Sequence, residues 1–310
     1  MVYANILDAT GSTPLVRLNR LVPADAAEVL VKVESLNVGG SIKTRTAWSM
    51  VRCALERGLI NDQTIIAEPT SGNQGVGLAL VGAVLGLKVI VVMPDSVSAE
   101  RRHLIRAYGA ELRLVHDDGD IGAAIDQCLA EVEAIAAADP RVFVPQQFCN
   151  PDNPSVHSTE TCQEILAAVD GPIDGFCAGV GTGGTLTGIG RRLRQVNPAV
   201  VIWAVEPSGA AILTGGPIGS HLQMGIGDGL IPDNLDTDLY DDVAVVDDDE
   251  AIAMTRRLAR EEGLLGGISS GSNVVAALRL ARQLGPGKRV VTILPDTGER
   301  YFSTPLYDLD

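Results

Sequence analysis

The chain has 310 residues, a formal net charge of −15 and a sequence pI of about 4.6. With 46% hydrophobic and 20% charged residues it has the composition of a globular protein rather than a disordered one. The acidic balance disfavours nucleic-acid binding, so a small anionic substrate has to be held by a fixed local set of donors.

Five cysteines without a CxxC pair and four histidines without metal-ligand spacing predict a reducing compartment, the cytoplasm, and no metal site. The N-terminus lacks the pattern of a signal peptide, and no apolar run has membrane-spanning length.

Taken in chain order, short β-rich runs alternate with helical patterns. The first half is expected to contain strands over 29–33, 64–67, 88–93, 111–115 and 142–144, with helices over 44–57, 74–85, 98–108 and 121–137. The second half is expected to contain strands over 175–178, 200–205 and 289–294, with helices over 185–195, 249–262 and 272–283. This alternation predicts α/β architecture with open, twisted, mostly parallel sheets.

The segment 150–154 (Asn-Pro-Asp-Asn-Pro) is rich in helix stoppers and lies near the middle of the chain. We therefore expect an N-terminal α/β domain over 1–149, whose first segment is free to cross to the other lobe, and a C-terminal α/β domain over 150–310. The first should carry Lys43 and the Thr70 to Gln74 loop, and the second the glycine-rich loop and Ser269. A ligand should bind between them, beyond the carboxyl ends of the strands.

Lys43 follows Gly39-Gly40-Ser41 and opens a helical pattern. A lone lysine is usually a solvated surface charge. A lysine that is buried or lies beside a cation has a lowered pKa and forms imines with carbonyl compounds. We expect Arg45 and the helix N-terminus to contribute to that environment.

The loop of Thr70, Ser71, Gly72 and Asn73 connects a predicted strand with the helix that begins near Gln74. Such residues commonly cap a helix. The same free amide donors are suited to a carboxylate.

A glycine-rich run from Gly179 to Thr185 also connects a strand with a helix. It lacks the lysine of a P-loop, and it comes too late in the chain for the usual dinucleotide fingerprint. A single phosphate bound by backbone N–H groups, Thr182 and Thr185 fits better. An imine-forming lysine, an asparagine loop and a phosphate cradle are together the parts needed to hold pyridoxal 5'-phosphate.

The three motifs, in this order, resemble the fold-type II pyridoxal-phosphate enzymes, which have the fold of the tryptophan synthase β subunit. The resemblance is to the cysteine synthase (O-acetylserine sulfhydrylase) and cystathionine β-synthase family, and it extends nearly end to end. Further matching segments are TGSTPLV at 10–16, ESLNVGGSIK at 34–43, QQFCNP at 146–151, GISSG at 267–271 and GERY at 298–301.

The resemblance implies a role for each matching position. Lys43 is the catalytic lysine that carries the cofactor. The remaining cofactor-binding residues are Asn73 for the ring hydroxyl, Gly181, Thr182, Gly183, Gly184 and Thr185 for the phosphate, and Ser269 for the pyridine nitrogen. The substrate carboxylate is bound by Thr70, Ser71, Asn73, Gln74 and Gln147, and Gly225 lines the opposite wall.

The implied reaction is β-replacement, in which O-acetyl-L-serine and sulfide give L-cysteine and acetate. A homodimer, and docking of the C-terminal tail of a serine acetyltransferase, are implied in the same way. Four positions depart from the family pattern, namely Val38, Thr44, Gln74 and Asp228, and the change at Gln74 leaves both the β-substituent of the donor and the nucleophile open. The alternatives are homocysteine, cyanide or an amine as nucleophile, and serine or O-phosphoserine as donor. A β-elimination lyase and a non-catalytic binding protein are the other classes.

Overall fold

The computed structural model describes residues 2–70, 72–117, 121–216 and 218–307. Within these ranges the chain forms two sheets covered by helices, and all strand pairs but one are parallel. The α/β prediction is therefore confirmed. No helix in the described part of the chain is long and apolar enough to span a membrane.

The larger sheet contains, in spatial order, β1 (Leu15–Arg17), β2 (Glu28–Val33), β10 (Arg289–Leu294), β7 (Gly175–Gly179), β8 (Val201–Pro207) and β9 (Asp242–Val246). The smaller sheet contains β5 (Glu111–Val115), β4 (Lys88–Pro94), β3 (Ile65–Pro69) and β6 (Val142–Phe143). The N-terminal strands thus join the sheet that contains the last strand, because β2 lies parallel to β10 and β1 pairs with β2. Only β1, which is antiparallel to β2, breaks the parallel order.

The helices are α1 (Lys43–Glu56), α2 (Asn73–Leu85), α3 (Ala99–Ala107), α4 (Ile121–Ala138), α5 (Asp152–Val156), α6 (Cys162–Ala168), α7 (Gly184–Val196), α8 (Asp248–Arg257) and α9 (Ile268–Leu284). A π-helical turn, His157–Thr161, connects α5 with α6, and a second, Leu258–Glu262, follows α8.

The core lies on both faces of each sheet, as parallel strands require. Helix α9 is buried along most of its length and packs against β7 and β10. Helix α2 is likewise buried, and its apolar side chains pack beside α1 and β4. Each fully buried valine, leucine or isoleucine contributes about 1.5–3 kcal/mol, so these two helices are held firmly at the ends that carry the site.

A buried ion-pair cluster fixes the start of α1. The guanidinium of Arg45 contacts Glu34 at 2.9 Å and Glu164 at 2.7 Å, and the side chain of Arg45 is fully shielded from solvent. Lys32 also contacts Glu164, at 2.6 Å. Because Glu34 follows β2 and Glu164 lies in α6, this cluster attaches α1 to the larger sheet.

Candidate active site

The carboxyl ends of β3, β7 and β10 converge on one pocket. The loop after β3 leads into α2 at Asn73, and the loop after β7 leads into α7 at Gly184. The N-termini of both helices therefore face the same space, which suits them to anionic groups. This is the place at which open parallel sheets bind ligands.

Most of the predicted site residues line this single pocket: Lys43, Thr70, Asn73, Gln74, Gln147, Gly181, Thr182, Gly183, Thr185, Gly225 and Ser269. Gly184, the first residue of α7, is not among them, and a Cβ at this position would overlap the side chain of Asn153. Ser71 lies outside the described residues.

Lys43 is the first residue of α1 and points into the pocket. Burial lowers the pKa of its ammonium group, and the carboxylates of Asp228 and Asp296 oppose that change. A lysine in such a place supplies a neutral amine more readily than a solvated one, as imine formation requires. Arg45 does not act as expected here, because its charge is paired with Glu34 and Glu164.

The glycine-rich loop forms a cradle that side chains would fill. A Cβ at Gly181 would overlap the carbonyl oxygen of Gly225, and Gly183 has a φ of 76°, which favours glycine. Thr182 accepts a hydrogen bond from Asn153 Nδ2 at 2.9 Å, which fixes its side chain at the loop. The open backbone at the start of α7 fits a phosphate group.

Asn73 is bound by residues on two sides. Its Nδ2 donates to Asp296 Oδ2 at 2.7 Å, and its Oδ1 accepts from Arg300 and, at 3.5 Å, from Arg101 Nε. One amide hydrogen of Nδ2 is left to donate to a ligand. Tyr301 also donates to Asp296, at 2.8 Å, so the carboxylate that orients Asn73 is itself held in place.

Ser269 lies in the first turn of α9 and is almost fully buried at the floor of the pocket. Four residues along, Asn273 joins the ends of two strands. Its Oδ1 accepts from Gly179 N at 2.7 Å and its Nδ2 donates to Ile293 O at 2.8 Å. The start of α9 is thereby fixed between β7 and β10.

Gln147 is positioned by a buried carboxylate that the sequence did not reveal as part of the site. Glu68, in β3, accepts from the backbone N–H groups of Gln146 and Gln147 at 3.0 and 2.9 Å. Gln146 has a φ of 58°, a conformation that a non-glycine residue rarely adopts without such support. Desolvation raises the pKa of Glu68 to about 7.

Other contributors were also missed, including Thr46, Arg101, Asn153, Asn273 and Asp296. A signal was present for Glu68, which interrupts an otherwise apolar strand, and for Thr46, which follows Lys43 by about one helical turn. The other four act through partners far away in the chain, which periodicity does not indicate.

The residues fit pyridoxal phosphate, since they combine a buried lysine with a phosphate cradle and a neutral serine at the pocket floor. The family model described as "Pyridoxal-phosphate dependent enzyme" matches residues 6–296. The chain belongs to this family. This confirms the family, the fold type and the cofactor inferred from the sequence motifs.

The chain is 47% identical over 307 residues to a cysteine synthase of Staphylococcus aureus, with 99% of this chain and 97% of the relative covered. The solved structure of an O-ureido-L-serine synthase is 43% identical, with a TM-score of 0.94 and coverage of 100% and 97%. A hydrogen sulfide-producing enzyme from Fusobacterium nucleatum is 39% identical, with a TM-score of 0.92 and coverage of 97% and 100%. The chain is thus a pyridoxal-phosphate enzyme of the cysteine synthase type, and related β-replacement enzymes share its family and fold.

Proposed function

We propose that the protein converts O-acetyl-L-serine and sulfide into L-cysteine and acetate, with Lys43 as its catalytic residue. The observation that carries this proposal is the position of Lys43, whose buried amine lies in one pocket with two helix N-termini. When bound, pyridoxal phosphate withdraws electrons from Cα of the attached amino acid, so that acetate leaves Cβ and sulfide takes its place.

The residues of this chain then have separate tasks. Lys43 holds the cofactor and moves the proton at Cα, because its amine stays in the pocket with a lowered pKa. The backbone of Gly181 to Thr185 binds the phosphate at the start of α7. Asn73 would donate to the ring hydroxyl, and Ser269 would meet the pyridine nitrogen with a neutral hydroxyl, so that no negative charge is placed there.

The carboxylate of the substrate is held at the start of α2. Thr70, Asn73, Gln74 and Gln147 contribute donors, with Ser71 as a further proposed contributor from the sequence motif, and Gly225 forms the opposite wall. This set binds a small anion although the whole chain carries a net charge of −15.

The test is an absorption spectrum of the purified holoenzyme, with and without O-acetyl-L-serine, followed by addition of sulfide and assay of cysteine. A cofactor band that shifts with O-acetyl-L-serine, returns with sulfide and yields cysteine supports the proposal. A band that O-acetyl-L-serine does not move refutes this donor, and a spectrum unaffected by Lys43→Ala refutes the role of the lysine.

A second candidate is β-replacement by a nucleophile that must lose a proton, such as an amine or the thiol of an amino acid. Asp228 favours it: this carboxyl lines the pocket beside Lys43, and desolvation raises its pKa. Sulfide is already partly ionised at neutral pH and depends less on such a base than an amine or a thiol does.

Asp228→Asn separates the two candidates. If the nucleophile must be deprotonated, the variant should lose activity with amines or amino-acid thiols and keep its activity with sulfide. An equal loss with all nucleophiles would contradict this role for Asp228.

A cytoplasmic location, a homodimer and docking of the tail of a serine acetyltransferase complete the proposal, on the strength of the family resemblance. Equilibrium sedimentation of the holoenzyme tests the dimer. Titration with a peptide of the acetyltransferase C-terminus, in competition with substrate, tests the docking.

A further inference from the structure

Gln74 is the second residue of α2 and is only 1% exposed. Its side chain lines the pocket, at the helix N-terminus where the substrate carboxylate is proposed to bind. Its Nε2 has no hydrogen-bond partner among the described residues. Burial of an amide donor without a partner is unfavourable, so the geometry calls for an acceptor that a ligand supplies.

The oxygen atom of the same side-chain amide already has a hydrogen-bond donor. Thr46 Oγ1, in α1, donates to Gln74 Oε1 at 2.7 Å, and the alternative acceptor for that hydroxyl, the carbonyl oxygen of Lys43, is at 3.0 Å. A hydroxyl has one hydrogen to donate. When Thr46 gives it to Gln74, the amide oxygen is engaged by α1 and the NH₂ group is the end of the amide left for a ligand.

We propose that Thr46 is a positioning residue, which orients Gln74 so that Nε2 donates to the α-carboxylate of the amino-acid substrate. The inference rests on the proposed function, in that it concerns the same carboxylate site. The site so formed favours a carboxylate, because an NH₂ group donates and does not accept, and an ionised oxygen is a stronger acceptor than the oxygen of an ester. An amide turned the other way would present its oxygen to the carboxylate and repel it.

Position 74 is one at which this chain departs from its family, with glutamine in place of the usual threonine. In the structure, the glutamine at this position accepts a hydrogen bond from Thr46. Because Thr46 lies three residues after Lys43, the same helix that carries the lysine also orients the carboxylate donor.

The experiment measures the dissociation constants of L-serine and of L-serine methyl ester for the holoenzyme by calorimetry. The ester keeps the amine and the hydroxyl but lacks the charged carboxylate. Thr46→Val removes the hydroxyl and keeps the shape, so it should weaken L-serine binding about tenfold and change ester binding less than about twofold. Thr46→Ser should restore L-serine binding, and Gln74→Glu should abolish the preference for L-serine over the ester.

Thr44→Val is the matched control. Thr44 is a buried residue of the same helix whose hydroxyl has no partner in the described part of the chain, so this variant should bind both ligands as the wild type does. If Thr46→Val weakened the binding of L-serine and of its methyl ester equally, Thr46 would have only a structural role and the inference would be overturned. Unchanged L-serine binding in that variant, or no binding of L-serine by the wild type, would overturn it as well.

Failure of the proposed function would be recognised separately. A holoenzyme that makes no cysteine from O-acetyl-L-serine and sulfide, yet discriminates L-serine from its ester through Thr46, would refute the reaction and leave the positioning role intact.

Discussion

Glu68 should make the stability of the protein fall as the pH rises from about 4.5 to about 7. Its carboxyl is buried in β3, and desolvation raises its pKa to about 7 from an ordinary value of 4.5, although two backbone N–H groups favour the charged form. Between these pH values the folded protein binds a proton that the unfolded chain releases. The contribution of Glu68 to the unfolding free energy is therefore fully present below about pH 4.5 and is lost as the pH rises to about 7.

The magnitude follows from the same two values. A difference of about 2.5 in pKa corresponds to about 3 kcal/mol of unfolding free energy. The assay is chemical denaturation of the holoenzyme at several pH values from about 5 to about 8.5, for the wild type and Glu68→Gln. Because glutamine does not titrate, the unfolding free energy of the wild type minus that of the variant should fall by about 2.5 kcal/mol over this range, the rest of the change lying below pH 5.

Glu133→Gln, at an exposed position, is the control and should give a difference that is nearly independent of pH. If the difference for Glu68→Gln is constant or increases with pH, the reasoning from burial is refuted.

Ionisation of Glu68 should favour substrate binding, although it lowers the stability of the fold. The ionised carboxylate accepts both N–H bonds that place Gln147, so the KM for the amino-acid substrate should rise as the pH falls below about 7, and Glu68→Gln should remove that rise.

Three further substitutions test other parts of the site. Lys43→Ala should lower kcat at least about 10³-fold because it removes both the imine-forming amine and the proton carrier; turnover near that of the wild type would contradict this role. Arg45→Met should reduce the unfolding free energy by about 3–5 kcal/mol, since it leaves Glu34 buried without its partner, whereas Arg141→Met in an exposed ion pair should have little effect in the same denaturation assay. Gly184→Ala should weaken cofactor binding about tenfold, because its methyl group would overlap Asn153; an unchanged affinity in a cofactor titration would show that the loop adapts.

The parts of the fold that the sequence predicts well are those with a local cause. Buried parallel strands appear as runs of valine and isoleucine, as in β4, and the loops that follow them contain the glycines and small polar residues needed at a helix N-terminus. The sequence alone therefore predicts that Lys43 and the run from Gly181 to Thr185 lie at the edge of the sheets where the strands end.

What could not be predicted depends on contacts between distant segments. Asn153 fixes Thr182, and Glu68 fixes Gln147, across separations of 29 and 79 residues. The pairing of β2 with β10 joins residues that are even farther apart. The division of the chain at residue 149 stays a prediction. The strands before residue 34 belong to the sheet that contains β10, and sequence patterns do not indicate which sheet a strand joins.

These long-range contacts converge on the first turn of α1. Lys43 faces the cofactor site, Arg45 is held by Glu34 and Glu164 in the larger sheet and α6, and Thr46 reaches Gln74 at the start of α2. One helical turn therefore ties the reactive amine to the larger sheet and to the carboxylate site. Since catalysis requires the parts of a site to be held in register, we expect the ion pairs of Arg45 to do more than stabilise the fold. They hold the lysine that is proposed to act at Cα against the larger sheet, whose strand β7 leads into the glycine-rich loop.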